Sequence, residues 1–235
     1  MPDKSNFSSQ KTVDIIDTFS ANSLKILDKS AEDFRLKYIE NLYFTPDNKK
    51  AKTGQNLHNF LCFYLKNFDT SKIEDSFSED DKNFIEKIKD FDEIKLLKDA
   101  DKKSIEQPFL IKCTPENTIE PKNLDVTDNF YKKENLLPDK HQTKDVFYLT
   151  GRFDAVLIKE NRVEIYDWKT LNTPKDPEND IQTIVYLYAA SKLYKTKNIS
   201  IKYISLTKNE SVEIPYTSNF NYFKRIFGIV QKLYL

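Results

Sequence analysis

GRFDAVLIKENRVEIYDWKT, residues 151–170, is the stretch whose reading decides the fold. Its two halves, GRFDAVLI and VEIYDWKT, are short and rich in Val, Ile, Phe, Tyr and Trp, and polar Lys159, Glu160, Asn161 and Arg162 separate them. That is the pattern of two strands joined by a turn near Glu160 and Asn161. Side chains alternate faces along a strand, so Asp167 and Lys169 share one face and Trp168 takes the other. Pairing the strands as a hairpin brings Asp154 close to Asp167. Two acids and an ammonium at the end of a buried hairpin are costly, and cores avoid them unless something uses them. A hard divalent cation held by the acids, with the lysine beside it, accounts for the cost.

At 235 residues the chain can bury a real core as one domain, residues 1–235. Within it, residues 1–104 read as mainly helical and 105–235 as the sheet-bearing part. Lys plus Arg and Asp plus Glu each number 37, so there is no net charge. That argues against a broadly cationic nucleic-acid binder and leaves room for a local basic groove. Candidates for such a face are Lys25, Lys29, Arg35 and Lys37, and Lys192, Lys195 and Lys197. The start, MPDKSNFSSQK, lacks the apolar core of a signal peptide, and no stretch approaches the roughly 20 apolar residues of a membrane span. The expectation is a soluble, cytoplasmic protein without a membrane partner. Cys62 and Cys113 are the only cysteines; without CxxC spacing they build neither a structural zinc site nor a four-cysteine iron–sulphur cluster.

Outward from the hairpin, residues 1–20 read as ragged, and Ser20 as the N-cap of a helix over 21–29. Ala31 to Tyr43 forms a second helix, and Pro46 to Lys52 a charged loop. After Gly54 comes an amphipathic run with Leu57, Leu61, Tyr64, Leu65 and Phe68 on one face. Residues 70–104 read as a solvated helical layer around Phe84, Ile85, Ile88 and Phe91. Glu106 to Ile111 is a first strand, 114–144 an irregular insertion containing His141, and Val146 to Ile158 and Val163 to Lys169 the next two strands. Asp176-Pro177 reads as a helix start, with the helix running to about Lys195. Ile199 to Leu206 is a fourth strand, Ser211 to Pro215 a pairing segment, and Asn219 to Leu233 a closing helix.

This order of elements carries a resemblance. GRFD (151–154) is similar to the GxxD motif, and EIYDWKT to the D-x-K strand, of the PD-(D/E)xK nuclease superfamily in its RecB-type branch. DIQTIVYLYA, with Gln182 and Tyr186, resembles that branch's Q-x3-Y helix, and Gly54 with His58 its upstream glycine and histidine. SANSLKILDKSAEDFRLKYI resembles its N-terminal signature, and the strand from Glu106 its acid-bearing first strand. The resemblance covers most of the chain. It implies an α/β fold with a mixed sheet: a restriction-endonuclease-like αβββαβ core with an N-terminal helical elaboration. Where many relatives carry Cys-Pro, this chain has Ser30-Ala31, so no iron–sulphur cluster is expected.

Phosphodiester hydrolysis needs an activated water and charge stabilised on the phosphate, which Mg²⁺ or Mn²⁺ supplies. Asp154 and Asp167 suit such an ion, and His58 would add an imidazole. The backbone carbonyl of Ile165 or Trp168 could fill a further position. Lys169 is expected at the attacking water or the scissile phosphate, and Glu106 as a second acid near the metal. Gln182 and Tyr186, one helical turn apart, would brace the hairpin or touch nucleic acid. Gly151 would let backbone approach beside Asp154. The catalytic set is thus Lys169, Asp154, Asp167 and Glu106, and the metal set His58, Asp154 and Asp167. The implied activity is DNA hydrolysis, as an exonuclease or single-strand and end-processing enzyme in repair or recombination, with a helicase or repair partner. The alternatives are a non-catalytic nucleic-acid-binding or partner module of the same fold, and a nuclease acting on RNA.

Overall fold

The computed structural model of the chain describes residues 16–42, 49–114, 146–170 and 173–234. Its strands are β1 (Thr18–Phe19), β2 (Lys103–Cys113), β3 (Phe147–Lys159), β4 (Arg162–Lys169), β5 (Ile199–Ser205) and β6 (Glu210–Pro215). Its helices are α1 (Ala21–Lys29), α2 (Ala31–Phe34), α3 (Lys49–Leu65), α4 (Ser71–Glu74), α5 (Glu79–Lys89), α6 (Asp92–Asp99), α7 (Ile181–Leu193) and α8 (Tyr222–Gln231). All six strands join one mixed sheet in the order β1-β3-β4-β5-β6, with β2 on β3. The β3–β4 hairpin is antiparallel, pairing Ala155 with Tyr166 and Lys159 with Arg162, as the alternation in 151–170 predicts. Strand β5 returns parallel to β4 after the α7 crossover.

Both faces of the sheet are covered, which is why β4 is buried at nearly every position rather than at alternate ones. One core joins α1, α7 and α8 to Phe109, Ile111, Phe147 and Phe153 of the sheet. The second joins Leu57, Leu61 and Leu65 of α3, with Ile85, Ile88, Ile94 and Leu97 of α5 and α6, to Ala155, Leu157, Tyr166 and Trp168. The charged segment over 70–104 therefore covers a sheet face with its apolar stripe and turns its charges to water. Its α5 is well specified locally: Ser78 caps it, Glu79, Asp80 and Asp81 fill the first turn, and Lys87 and Lys89 the last.

Several expectations need correction. Helix α7 is capped by Asp180, whose side chain accepts from the Gln182 N–H; Asp176 and Pro177 lie in the turn before it. Helix α3 already begins at Lys49, inside the expected charged loop. The second helix ends early, α2 widening into a π turn over Arg35–Ile39, and Tyr43 lies outside the described residues. Phe68 is exposed, because α3 ends before reaching it. Thr18–Phe19, read as ragged, adds the short parallel strand β1 to β3, and Phe19 is fully buried. Gly151 has no positive φ; it faces Phe109 across the ladder, and the Phe109 ring occupies the space a Cβ would need. All but the first residue of the 114–144 insertion, His141 included, lies outside the described residues.

Two irregularities in the sheet create the site. Ile105 packs with the second core while Phe109 and Ile111 belong to the first, although even spacing keeps all three on one side of a regular strand. The reversal falls at Glu106, whose φ is 59°, in the left-handed region that non-glycine residues avoid. On its other edge, β3 pairs with β1 at Tyr148 and Leu149 and with β4 from Ala155 onward. Between them, among the described residues, no strand is paired to it.

Candidate active site

Asp154 lies where the β3–β4 ladder ends. Beyond the Ala155–Tyr166 pair its carboxylate takes over from the backbone, Oδ2 accepting from the Trp168 N–H at 2.9 Å. The β2–β3 register, Ile105 with Ala155 and Gln107 with Phe153, sets Glu106 directly across from Asp154. Helix α3 supplies the third group. A Cβ on Gly54 would meet Thr170 Oγ1 at 3.0 Å, so glycine here lets α3 pack closely against the end of β4. One turn on, His58 places Nε2 3.2 Å from the Trp168 carbonyl and Nδ1 3.5 Å from Asp154 Oδ2. A carbonyl only accepts, so Nε2 carries the proton of that bond and Nδ1 keeps its lone pair toward the acids in the neutral ring. One ligand atom each from His58, Glu106 and Asp154 lie within 4.8 Å of one another.

Beside this cluster runs a second chain of contacts. Lys169 Nζ is 2.6 Å from Asp167 Oδ2 and donates to Gln182 Oε1 at 3.1 Å. Gln182 Nε2 donates in turn to Asp167 Oδ1 at 2.6 Å. Gln182 is held at the start of α7 by Asp180, which also ion-pairs with Lys25 of α1 at 3.0 Å. One turn further along α7, Tyr186 donates to the Arg152 carbonyl at 2.9 Å, in the span of β3 without a β4 partner. The Arg152 guanidinium reaches Glu106, Nε to Oε2 at 2.5 Å.

The electrostatics are those of anions held close together. Burial, and behind it the charge of Asp154, pushes the Asp167 carboxyl up to about 6, against the pull of Lys169. Burial also raises Glu106, Arg152 working against the shift and Asp154 with it. Burial opposes a charged His58, but the Asp154 hydrogen bond and the nearby carboxylates outweigh it and raise the imidazole above its usual value. Asp167 Oδ2 is buried, and despite its ion pair it accepts no well-directed hydrogen bond. A nitrogen with two carboxylates, and a third acid with a lone pair to spare, is a donor set that fits a divalent cation.

The structure thus brings His58, Glu106 and Asp154 together, and Asp167, Lys169 and Gln182 together beside them. It sets Asp167 against Lys169 and Gln182 rather than within the three-residue cluster. Glu106, expected as a second acid near the metal, is itself a member of that cluster. Tyr186 reaches backbone, and Trp168 packs on the far side of the sheet as the alternation predicts. Of the candidate cations, Lys25 is spent on Asp180, and Arg35 on Glu32 and Glu40. Sequence reasoning missed Arg152, Asp180 and Thr170. Asp180 could have been found as an N-cap two residues before Gln182; nothing local marks the other two.

A family model of the PD-(D/E)XK nuclease superfamily matches residues 18–233. No curated protein matches. A solved structure described as "Crystal structure of SSO0001" is 15% identical, covers 95% of this chain and 78% of its own, and has a TM-score of 0.46. No described helix is long and apolar enough to cross a membrane. The match spans the helical layers, the hairpin and the α7 crossover alike, and this chain belongs to the PD-(D/E)XK nuclease superfamily.

Proposed function

We propose that the protein is a divalent-metal-dependent nuclease hydrolysing phosphodiester bonds of DNA, single-stranded or at ends. The observation that carries the reading is the convergence of His58, Glu106 and Asp154 within 4.8 Å, alongside the Asp167–Lys169–Gln182 chain. His58 Nδ1, Glu106 and Asp154 would hold the ion, with Asp167 Oδ2 adjoining. A bound Mg²⁺ or Mn²⁺ supplies Lewis acidity and lowers the pKa of water. Lys169 would act as a point charge; Asp167 and Gln182 fix its ammonium, so it is already oriented when a phosphate arrives. Tyr186 pins the backbone beside Asp154 through the Arg152 carbonyl. Glu106 holds a left-handed backbone at the point where β2 reverses its faces, beside the cluster, as expected where strain accompanies chemistry.

The test is cleavage of single-stranded, duplex and tailed DNA, and of RNA, with Mg²⁺, Mn²⁺ or chelator. The reading predicts metal-dependent cleavage of DNA, strongest on single-stranded or tailed substrates. Absence of cleavage with either ion would leave only a binding module of the same fold. A placement in repair or recombination, beside a helicase, belongs to the same proposal and is tested by co-purification.

A further inference from the structure

The Arg152 side chain has no role in the proposed reaction, yet its guanidinium lies against Glu106, one of the proposed ligands. We propose that Arg152 changes partners: it leaves Glu106 when a divalent cation takes that carboxylate, and moves onto a backbone phosphate of the nucleic acid. The inference rests on the metal-dependent reading.

Three observations carry it. First, the pair is lopsided. Arg152 is 52% exposed in its side chain and Glu106 16%, so the guanidinium reaches in from solvent to a carboxylate largely removed from it. Half-exposed pairs of this kind are weak, and a dication at bonding distance outcompetes them. Second, the backbone at Arg152 is fixed independently, since its carbonyl accepts from Tyr186. The side chain can swing from an anchored Cα, so releasing Glu106 need not disturb the strand. Third, Glu106 already draws on cations besides Arg152, since His58 and Lys66 act on it as well. A dication adds two positive charges at that carboxylate, so the freed guanidinium is repelled from the ion and a phosphate becomes its favoured neighbour. Arginine's planar fork suits a phosphate in two-point contact. The nucleic-acid grip at this position would then exist only in the metal-loaded protein.

The experiment compares wild type with Arg152→Ala, using Lys82→Ala as a control for loss of an exposed cation paired elsewhere. Ca²⁺ affinity is measured by calorimetry. Affinity for a single-stranded DNA oligonucleotide is measured across a KCl series, with and without saturating Ca²⁺. The expected result is that Arg152→Ala lowers the salt dependence by about one in log–log slope with Ca²⁺ present. Without Ca²⁺ the two proteins should superimpose, and Ca²⁺ itself should bind Arg152→Ala at least as tightly as wild type. An equal slope difference without Ca²⁺, no difference with it, or weaker Ca²⁺ binding overturns the exchange. Wild type that takes up no Ca²⁺ overturns the metal reading and the exchange together; wild type that takes it up with unaltered slopes overturns the exchange alone.

Discussion

Glu106 faces Asp154 directly across the β2–β3 ladder, and does so with a φ of 59° at a point where the strand reverses its faces. A left-handed backbone costs a non-glycine residue about 1–2 kcal/mol, and among the described residues the side chain makes one partly exposed ion pair in return. Glu106→Gly should therefore be no less stable than wild type without metal, and up to about 1 kcal/mol more stable. It should also lose most of the stabilisation that saturating Mn²⁺ confers. Chemical denaturation with and without Mn²⁺ measures both; a variant clearly less stable in chelator would show that the carboxylate holds the fold and not an ion.

The pH dependence follows from the same crowding. Asp167 has a folded pKa raised to about 6 from an ordinary 3.8, so its contribution to stability is present below the unfolded value and is lost as pH rises through about 6. His58, also raised, loses its contribution as pH climbs through its elevated value, from 6.5 upward. The metal-free protein should become less stable as pH rises from about 4 through 6 and on above 6.5, and Asp167→Asn should flatten the lower part of that decline. Divalent metal should stabilise progressively more over the same range, because it competes with protons for these groups. Thermal melts at four pH values, in chelator and in Mn²⁺, check the sign.

Gly54→Ala sets two effects against each other. Alanine favours a helix by about 1 kcal/mol over glycine. Its Cβ, however, would sit 3.0 Å from Thr170 Oγ1 and push α3 off the end of β4. Global stability should change little while Mn²⁺ affinity falls, because His58 is carried outward with its helix. Thr170→Ala removes the obstructing hydroxyl and should restore Mn²⁺ affinity in the double variant. Calorimetric titration of the two singles and the double decides it; a double variant no better than Gly54→Ala would break the link between the glycine and the histidine.

Lys169→Ala should cut single-turnover cleavage by a factor of about a hundred or more. Metal uptake should persist, since the His58, Glu106 and Asp154 cluster does not include the lysine. Losing the ammonium that pairs with the buried Asp167 carboxylate should also push Asp167 still higher, so the residual activity should need a higher pH than wild type. Rate-versus-pH profiles of the two proteins make the comparison.

Much of this was legible in the chain. The hairpin at 151–170 could be read because two β-rich strings and a polar turn leave one register that buries both. Asp154, Asp167 and Lys169 followed from its alternation, and α1 from the cap at Ser20. What stayed hidden depends on distant packing. The covering of the second sheet face by α5 and α6 is invisible in a segment whose charges dominate its composition. The start of α7 was misplaced because Asp176-Pro177 looks the better cap locally, whereas Asp180 is held by Lys25, far away in sequence. The part played by Gly151 was missed because Phe109 fills it from another strand. The ion pair of Glu106 with Arg152 depends on a backbone reversal that no residue preference announces, glutamate being a poor candidate for positive φ.

The central claim is that His58, Glu106 and Asp154 hold one divalent ion between them. Crystals grown with Mn²⁺ and measured at the manganese absorption edge test it most directly. The account predicts a single strong anomalous peak at roughly 2.0–2.3 Å from a nitrogen of His58 and an oxygen each of Glu106 and Asp154. A peak bonded elsewhere, or an empty cluster with Arg152 still on Glu106 at saturating Mn²⁺, contradicts it.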